Sequence, residues 1–138
     1  MSKQRLASQS SITWFYYDDF NLATAFYGET LGLQQVLDQG WARVFRIARD
    51  AFVGLVDAQA GKGTCRPQPA NAVLLTLVVD DLQGWLDKLT AAGIRPDSGI
   101  TKMADLEIET FFLTDPGGYR LEFQRFLHEA ARETFHGS

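Results

Sequence analysis

Cysteine, histidine and long apolar runs are scarce in this sequence of 138 residues, and each scarcity excludes a class of protein. The single cysteine, Cys65, rules out a disulfide within the chain and a Cys-x-x-Cys zinc or redox site. Because it lies in a polar Gly/Pro stretch, we interpret Cys65 as an incidental surface thiol rather than a nucleophile. The sequence also lacks an uncharged apolar run of about 18 residues, and since its first residues are polar, no signal peptide is expected. We therefore expect a soluble, cytoplasmic protein with no membrane partner.

Basic residues are in the minority, and this excludes a further class of partner. The chain has 13 Lys and Arg against 17 Asp and Glu, a net charge of -4 and a pI near 5.1. Nucleic-acid binding depends on a broad basic surface, so no nucleic-acid partner is expected. What remains is typical of a globular protein: 46% hydrophobic, 12% aromatic and 22% charged residues, in a length that fits one domain with a real core.

Apolar patterning predicts the elements of the first half of the chain. After a loose N-terminal arm, β-branched and aromatic residues predict a strand, and a helix follows at apolar spacing, with Gly32 as its C-cap. Two further strands precede a linker punctuated by Gly and Pro. The predicted segments are the arm at 1 to about 10, the strand 12–17, the helix 22–33, the strands 41–47 and 52–56, and the linker 58–72.

The pattern then repeats, and the repeat sets the predicted fold. Asp18-Asp19 ends the first strand, and Asp80-Asp81 ends an equivalent strand 62 positions later. Gly93 follows Asp81 by twelve residues, as Gly32 follows Asp19 by thirteen. We predict one α+β domain of two tandem βαβββ modules that form a curved, cup-shaped mixed β-sheet. Its predicted parts within 1–138 are module one at about 11–57, the linker, module two at about 73–126 and a helical C-terminal tail at 127–138.

Two segments carry a resemblance to a known superfamily. Residues 25–33, Ala-Phe-Tyr-Gly-Glu-Thr-Leu-Gly-Leu, are similar to an F-Y-x-x-x-L-G helix, and residues 112–122 resemble an F-x-D-P-x-G-N-x-(I/L)-E strand. With Val78-Val79-Asp80-Asp81-Leu82 and Ala91-Ala92-Gly93-Ile94 in the expected order, the chain resembles the vicinal-oxygen-chelate superfamily of glyoxalases, bleomycin-resistance proteins and extradiol dioxygenases. The resemblance implies the paired-module fold and, often, a homodimer. It does not by itself imply one function.

The positions that hold a divalent metal in this superfamily are largely aliphatic here. The resemblance places ligands early in the first strand of each module, where this sequence has Ile12 and Leu74, and at the glutamate of the last strand, where it has Glu122. Both histidines, His128 and His136, lie in the tail. Since one glutamate and two aliphatic side chains do not make a metal site, we expect no metal and no cofactor, although a divalent metal is not excluded.

Strand alternation identifies the candidate ligand-binding residues. Trp14 and Tyr16 share a face with Ile12, and Thr76 and Glu122 face the same inferred pocket in module two, with Trp41 at its mouth. Such an aromatic pocket with one carboxylate suits a flat or cationic organic molecule. Plainer alternatives stay open. The two aromatic residues of the first strand could be core residues, and Glu122 could be a strand residue paired with an arginine.

These residues predict a metal-independent small-molecule-binding protein, similar to the bleomycin-resistance branch, that sequesters an aromatic or cationic ligand. The alternative is an enzyme of the glyoxalase/dioxygenase superfamily, a lyase, isomerase or oxygenase, that uses Glu122 as a base or as a partial metal ligand. A structural or regulatory subunit is a third possibility. The polar segment 97–105 is either a lid over the pocket or an ordinary loop.

Overall fold

The protein is represented by a computed structural model that describes residues 5–137. The first four residues of the predicted arm, and Ser138 at the end of the predicted tail, lie outside the described residues. The chain divides into two compact units, and the boundary falls between Pro67 and Gln68, within the predicted linker 58–72. No helix among the described residues is long and apolar enough to cross a membrane.

The first unit contains one four-stranded sheet with a short helix. Its strand order is β1-β4-β3-β2, with β1 parallel to β4 and the other pairs antiparallel. The elements are β1 (Ser11–Tyr17), α1 (Phe20–Ala25), a π-helical turn (Phe26–Thr30), β2 (Gln34–Asp38), β3 (Ala42–Ala48), β4 (Ala51–Asp57) and a 3-10 turn (Ala58–Ala60).

The second unit repeats this arrangement. Its sheet has the order β5-β8-β7-β6, and β5 is parallel to β8. The elements are β5 (Leu74–Val78), α2 (Leu82–Ala91), β6 (Thr101–Met103), β7 (Ile108–Thr114), β8 (Arg120–Phe126) and α3 (Glu129–Phe135). The predicted α+β class and the two tandem βαβββ modules are thus confirmed.

The repeated Asp-Asp pairs begin the helices, as their capping chemistry predicts. The Asp19 side chain accepts a hydrogen bond from Leu22 N at 3.1 Å, and Asp81 accepts one from Gly84 N at 2.9 Å. The first helix differs from its prediction because it begins at Phe20 and its last turn is π-helical. Gly32 follows it with a positive φ of 73°, which supports the predicted role of this glycine in ending the helix.

Two edge strands were not predicted individually. β2 lies within a segment that had no assigned element, and β6 lies within the polar segment 97–105. That segment is therefore partly a sheet edge, since Thr101–Met103 pairs with β7.

At the end of β2, Gly40 N donates to Asp38, and with the nearby Arg43 guanidinium this lowers the pKa of the Asp38 carboxyl below its usual value of 3.8.

One face of each sheet packs against its helix and forms the core of the unit. In the second unit, Trp85 of α2 contacts Phe123 of β8 with ring centroids 5.1 Å apart, and Phe123 stacks on Phe111 at 5.0 Å. In the first unit, the ring centroids of Tyr27 and Phe45 are 6.4 Å apart. Because side chains alternate along a strand, the residues between these core positions project from the opposite face of each sheet.

The C-terminal helix docks on its own unit. Phe135 stacks on Phe126 at 4.8 Å, and Arg132 donates to the Phe126 carbonyl at 2.7 Å. His136 accepts a hydrogen bond from Phe126 N at its Nε2, so Nδ1 carries the proton that faces Asp80 at 2.7 Å. These contacts attach α3 to the end of β8 and to the loop after β5.

Candidate functional site

Glu122 lies at the centre of a row of side chains that crosses the second sheet. In the register, Glu122 of β8 pairs with Thr76 of β5 on one side and with Phe112 of β7 on the other. Its neighbours Leu121 and Phe123 belong to the core, so Glu122 projects from the face opposite α2. We call this surface the Glu122 face; by register it also includes Leu74, Val78, Thr110, Thr114, Arg120 and Gln124.

Two threonine hydroxyls hold the Glu122 carboxylate. Thr76 Oγ1 donates to Oε1 at 2.7 Å, and Thr110 Oγ1 donates to Oε2 at 2.7 Å. Thr110 pairs with Gln124 in the register, so it reaches Glu122 along a diagonal of the sheet. Glu122 is only 7% exposed and Thr110 is 1% exposed. The carboxylate is therefore fixed in place by one hydroxyl on each oxygen.

Glu122 has no cationic partner within the described part of the chain. Lys and Arg side chains of residues 5–137 form five ion pairs within 4.0 Å, His136 contacts Asp80, and none of these contacts includes Glu122. The interpretation of Glu122 as the partner of an arginine is wrong, since Arg120 pairs with Asp97 and Arg125 pairs with Glu109. A buried carboxylate without a counter-charge is costly, and the two hydroxyl dipoles only partly offset this cost.

The carboxylate retains capacity to bind. An ionised carboxylate has about four lone-pair positions, and the threonines use two of them. The half-buried Phe112 ring lies beside it on the neighbouring strand. An ammonium, amidinium or hydroxyl group placed against Glu122 would thus find a charged acceptor and an aromatic neighbour.

The equivalent position in the first unit carries a glycine. Trp14 pairs with Gly54 in the register, as Thr76 pairs with Glu122, so Gly54 corresponds to Glu122. The Trp14 indole lies directly over Gly54, and a Cβ at that position would collide with Cε3, Cζ3 and Cδ2 of the ring. Gly54 is needed for this close approach. Trp14 is 39% exposed, so the indole is not a fully buried core residue.

Tyr16 is next to Trp14 on the same strand face, and the linker covers it. Its ring lies against Gly63, and its hydroxyl accepts a hydrogen bond from Thr64 N at 3.3 Å. The Thr64 hydroxyl is 3.4 Å from the same oxygen. The linker segment that the sequence marks only as Gly-rich therefore packs on the predicted ligand-binding tyrosine.

Trp41 is placed differently from the other candidates. It is half-buried immediately before β3, where its carbonyl accepts a hydrogen bond from Asp57 N at 2.8 Å. Arg43 is two residues after Trp41, so the two side chains project from the same face of the sheet. Because Arg43 lies over the Phe20 ring and donates a hydrogen bond to Thr24 of α1, this is the face that packs against the helix. Of the predicted binding residues, the structure brings Thr76 and Glu122 into direct contact.

The described residues do not supply the ligand set that a divalent metal uses in this superfamily. Within residues 5–137 there is no group of three or more His, Cys, Asp or Glu side chains that could hold an ion. Ile12 and Leu74, at the positions that the superfamily uses for ligands, have no lone pair to donate. In the first unit, the position equivalent to Glu122 is Gly54. Glu122 is the single donor of the expected set.

The remaining candidate metal ligands and nucleophile lie elsewhere. His136 is occupied by Phe126 N and Asp80, and Cys65 is exposed. Thr110 and the Arg120–Asp97 pair are functional candidates that sequence reasoning missed. Alternation along β7 puts Thr110 and Phe111 on opposite faces of the sheet, and this signal could have placed Thr110 on the Glu122 face. The diagonal contact between Thr110 and Glu122, however, depends on the register of β7 against β8.

Comparison with known proteins identifies the family. The sequence profile of the Glyoxalase/Bleomycin resistance protein/Dioxygenase superfamily matches residues 10–123, and the chain belongs to this superfamily. A search of the curated proteins found no match.

Solved structures share the fold at low sequence identity. A lactoylglutathione lyase from Agrobacterium tumefaciens is 21% identical, with 88% of this chain and 96% of that chain covered and a TM-score of 0.69. A glyoxalase/bleomycin resistance protein/dioxygenase from Nocardioides is 15% identical, with 92% and 88% covered and a TM-score of 0.73. A glyoxalase/bleomycin resistance protein from Catenulispora acidiphila is 18% identical, with 86% and 98% covered and a TM-score of 0.66. At these identities the likeness concerns the fold alone.

Proposed function

We propose that this protein binds a small organic cation at Glu122 without a metal, and that it sequesters this ligand rather than converting it. The observation that carries the proposal is the buried Glu122 carboxylate, which two threonine hydroxyls position and which lacks a cationic partner among the described residues. The protein would in this respect be similar to the bleomycin-resistance branch of its superfamily. A homodimer, which the family resemblance implies, is part of the same proposal.

Charge and solvation favour a cationic ligand over a neutral one. A buried carboxylate has lost water contacts, and a ligand that carries a positive charge would supply the missing attraction. The threonines hold the carboxylate in advance, so binding requires little ordering of this side chain. The Phe112 ring beside it favours a ligand with a flat apolar body.

A calorimetric titration with benzylamine tests this proposal. Wild-type protein stripped of metal should bind this aromatic cation, and Glu122→Gln should weaken binding by about 30-fold or more, because truncating a buried charge pair costs about 2–5 kcal/mol. Glu109→Gln is the matched control, since Glu109 lies on the opposite side of the same sheet in an ion pair with Arg125. If the wild-type protein and folded Glu122→Gln bind benzylamine with equal affinity, the proposal is contradicted.

The second candidate function is an enzyme that uses Glu122 as a proton acceptor. The observation in its favour is the same fixed carboxylate, because a general base must be held within hydrogen-bond reach of its proton. The two functions differ in turnover. Conversion of a bound ligand that Glu122→Gln abolishes, with ligand binding largely retained, would favour the enzyme.

A further inference from the structure

A second charged group lies on the Glu122 face, two residues before Glu122. Arg120 shares the alternation of β8 with Glu122, so the two side chains leave the strand about 6.6 Å apart. The Arg120 guanidinium lies over the Phe112 ring, 5.2 Å from its centroid. Phe112 is also the strand neighbour of Glu122 in the register, so the residue that contacts the guanidinium is next to the carboxylate residue on the adjacent strand.

The Arg120 guanidinium is held in place and is still accessible. Its Nη2 lies 3.1 Å from Asp97 Oδ2, and this contact uses one of the five N–H donors of an arginine. Asp97 is itself fixed, because its backbone N–H donates to the Phe112 carbonyl at 2.8 Å. The side chains of Arg120 and Asp97 are 48% and 38% exposed. A ligand anion can therefore reach the guanidinium, and it would compete with Asp97 there.

We propose that the ligand is amphoteric: its cationic group binds Glu122, and a carboxylate at the other end of a flat body binds Arg120. This inference rests on the proposed function for its Glu122 half and adds the second charge and its spacing. Planar guanidinium groups bind carboxylates through paired N–H donors, and the Phe112 ring supports this plane from one side. Asp97 orients Arg120 while the ligand is absent.

Three rigid probes separate the two charges. Benzylamine carries the cation only, para-(aminomethyl)benzoate carries both charges at opposite ends of one ring, and the methyl ester of the latter removes the anion while keeping the shape. In calorimetric titrations of the full chain, the amphoteric probe should bind about tenfold more tightly than its ester, as one added charge-assisted contact implies.

Two variants should change this tenfold ratio in opposite directions. Arg120→Gln should abolish it, while benzylamine still binds in a manner that depends on Glu122. Asp97→Asn should increase it, because the competing carboxylate is gone, and a merely structural role of the Arg120–Asp97 pair does not predict such a gain. Arg125→Gln is the matched control, since Arg125 lies on the same strand but pairs with Glu109 on the other face.

The outcomes distinguish this inference from the proposed function. If benzylamine binds through Glu122 but the amphoteric probe and its ester bind equally, the Arg120 inference is overturned and the proposed function stands. If Glu122→Gln leaves the binding of every probe unchanged, both are overturned. A ratio that survives Arg120→Gln in folded protein also overturns the inference.

Discussion

Glu122 and Gly54 occupy equivalent register positions in the two sheets, and the contrast between them explains the chemistry of each unit. At Glu122, a carboxylate fills the position and accepts one threonine hydroxyl on each oxygen. At Gly54, the absence of a side chain lets the Trp14 indole lie on the strand backbone. At this register position the second unit therefore presents a charged acceptor, whereas the first unit presents the ring of Trp14 in place of a carboxylate.

Gly54→Ala tests the close contact between Trp14 and the backbone. The new methyl group would force the indole away, and overpacking of this kind costs about 1–3 kcal/mol, more than the roughly 0.5–1 kcal/mol that alanine gains through the unfolded state. The urea midpoint should fall, and the tryptophan emission should shift to the red. Gly99→Ala is the control, since a methyl group there meets no atom within 4 Å. Equal midpoints for the two variants would contradict this packing.

The sequence predicts which residues belong to the candidate site better than it predicts which of them are in contact. The family resemblance and strand alternation predicted that Glu122 and Thr76 face the same pocket, and in the structure a hydrogen bond of 2.7 Å joins them. Thr110 and Asp97 escaped prediction because their contacts depend on the register of β7 and on the course of the loop after α2. Neither a register nor a loop course is encoded in local periodicity.

At the scale of elements, predictability follows burial. β7 and β8 carry alternating or continuous apolar residues that are buried, and both strands lie within the predicted module two at about 73–126. Every residue of β2 and β6 is exposed, so these edge strands have no buried face to impose a period of two on the sequence. Their positions are set by hydrogen bonds to β3 and β7, which only the folded sheet provides.

The docking of α3 leads to a prediction at this scale. Asp80→Ala removes the partner of His136 Nδ1 and of Arg132, and it leaves the 5% exposed His136 side chain without an acceptor. Amide hydrogen exchange in α3 and at Phe126 should become on the order of fivefold faster. Asp18→Ala is the matched control, because Asp18 holds the equivalent position in the first repeat. Unchanged exchange at Phe126 in Asp80→Ala would show that Asp80 does not hold the helix.

At the scale of the whole molecule, the repeat determines which residues occupy the metal-ligand positions of the superfamily. A metal centre of the kind that the superfamily resemblance implies needs several donors, and the repeat supplies aliphatic residues at Ile12 and Leu74 and glycine at Gly54. Glu122 is the one donor retained at these positions. Under the proposed function this carboxylate binds an organic cation, which a single charged acceptor can hold.

Metal affinity tests this central claim most directly. Calorimetric titration of stripped wild-type protein and Glu122→Ala with nickel, zinc, manganese and ferrous iron should show no micromolar binding that depends on Glu122, because a single carboxylate donor cannot complete a coordination sphere. Binding at micromolar concentration or tighter that Glu122→Ala abolishes would contradict the claim. It would place the site among the metal-dependent members of the superfamily.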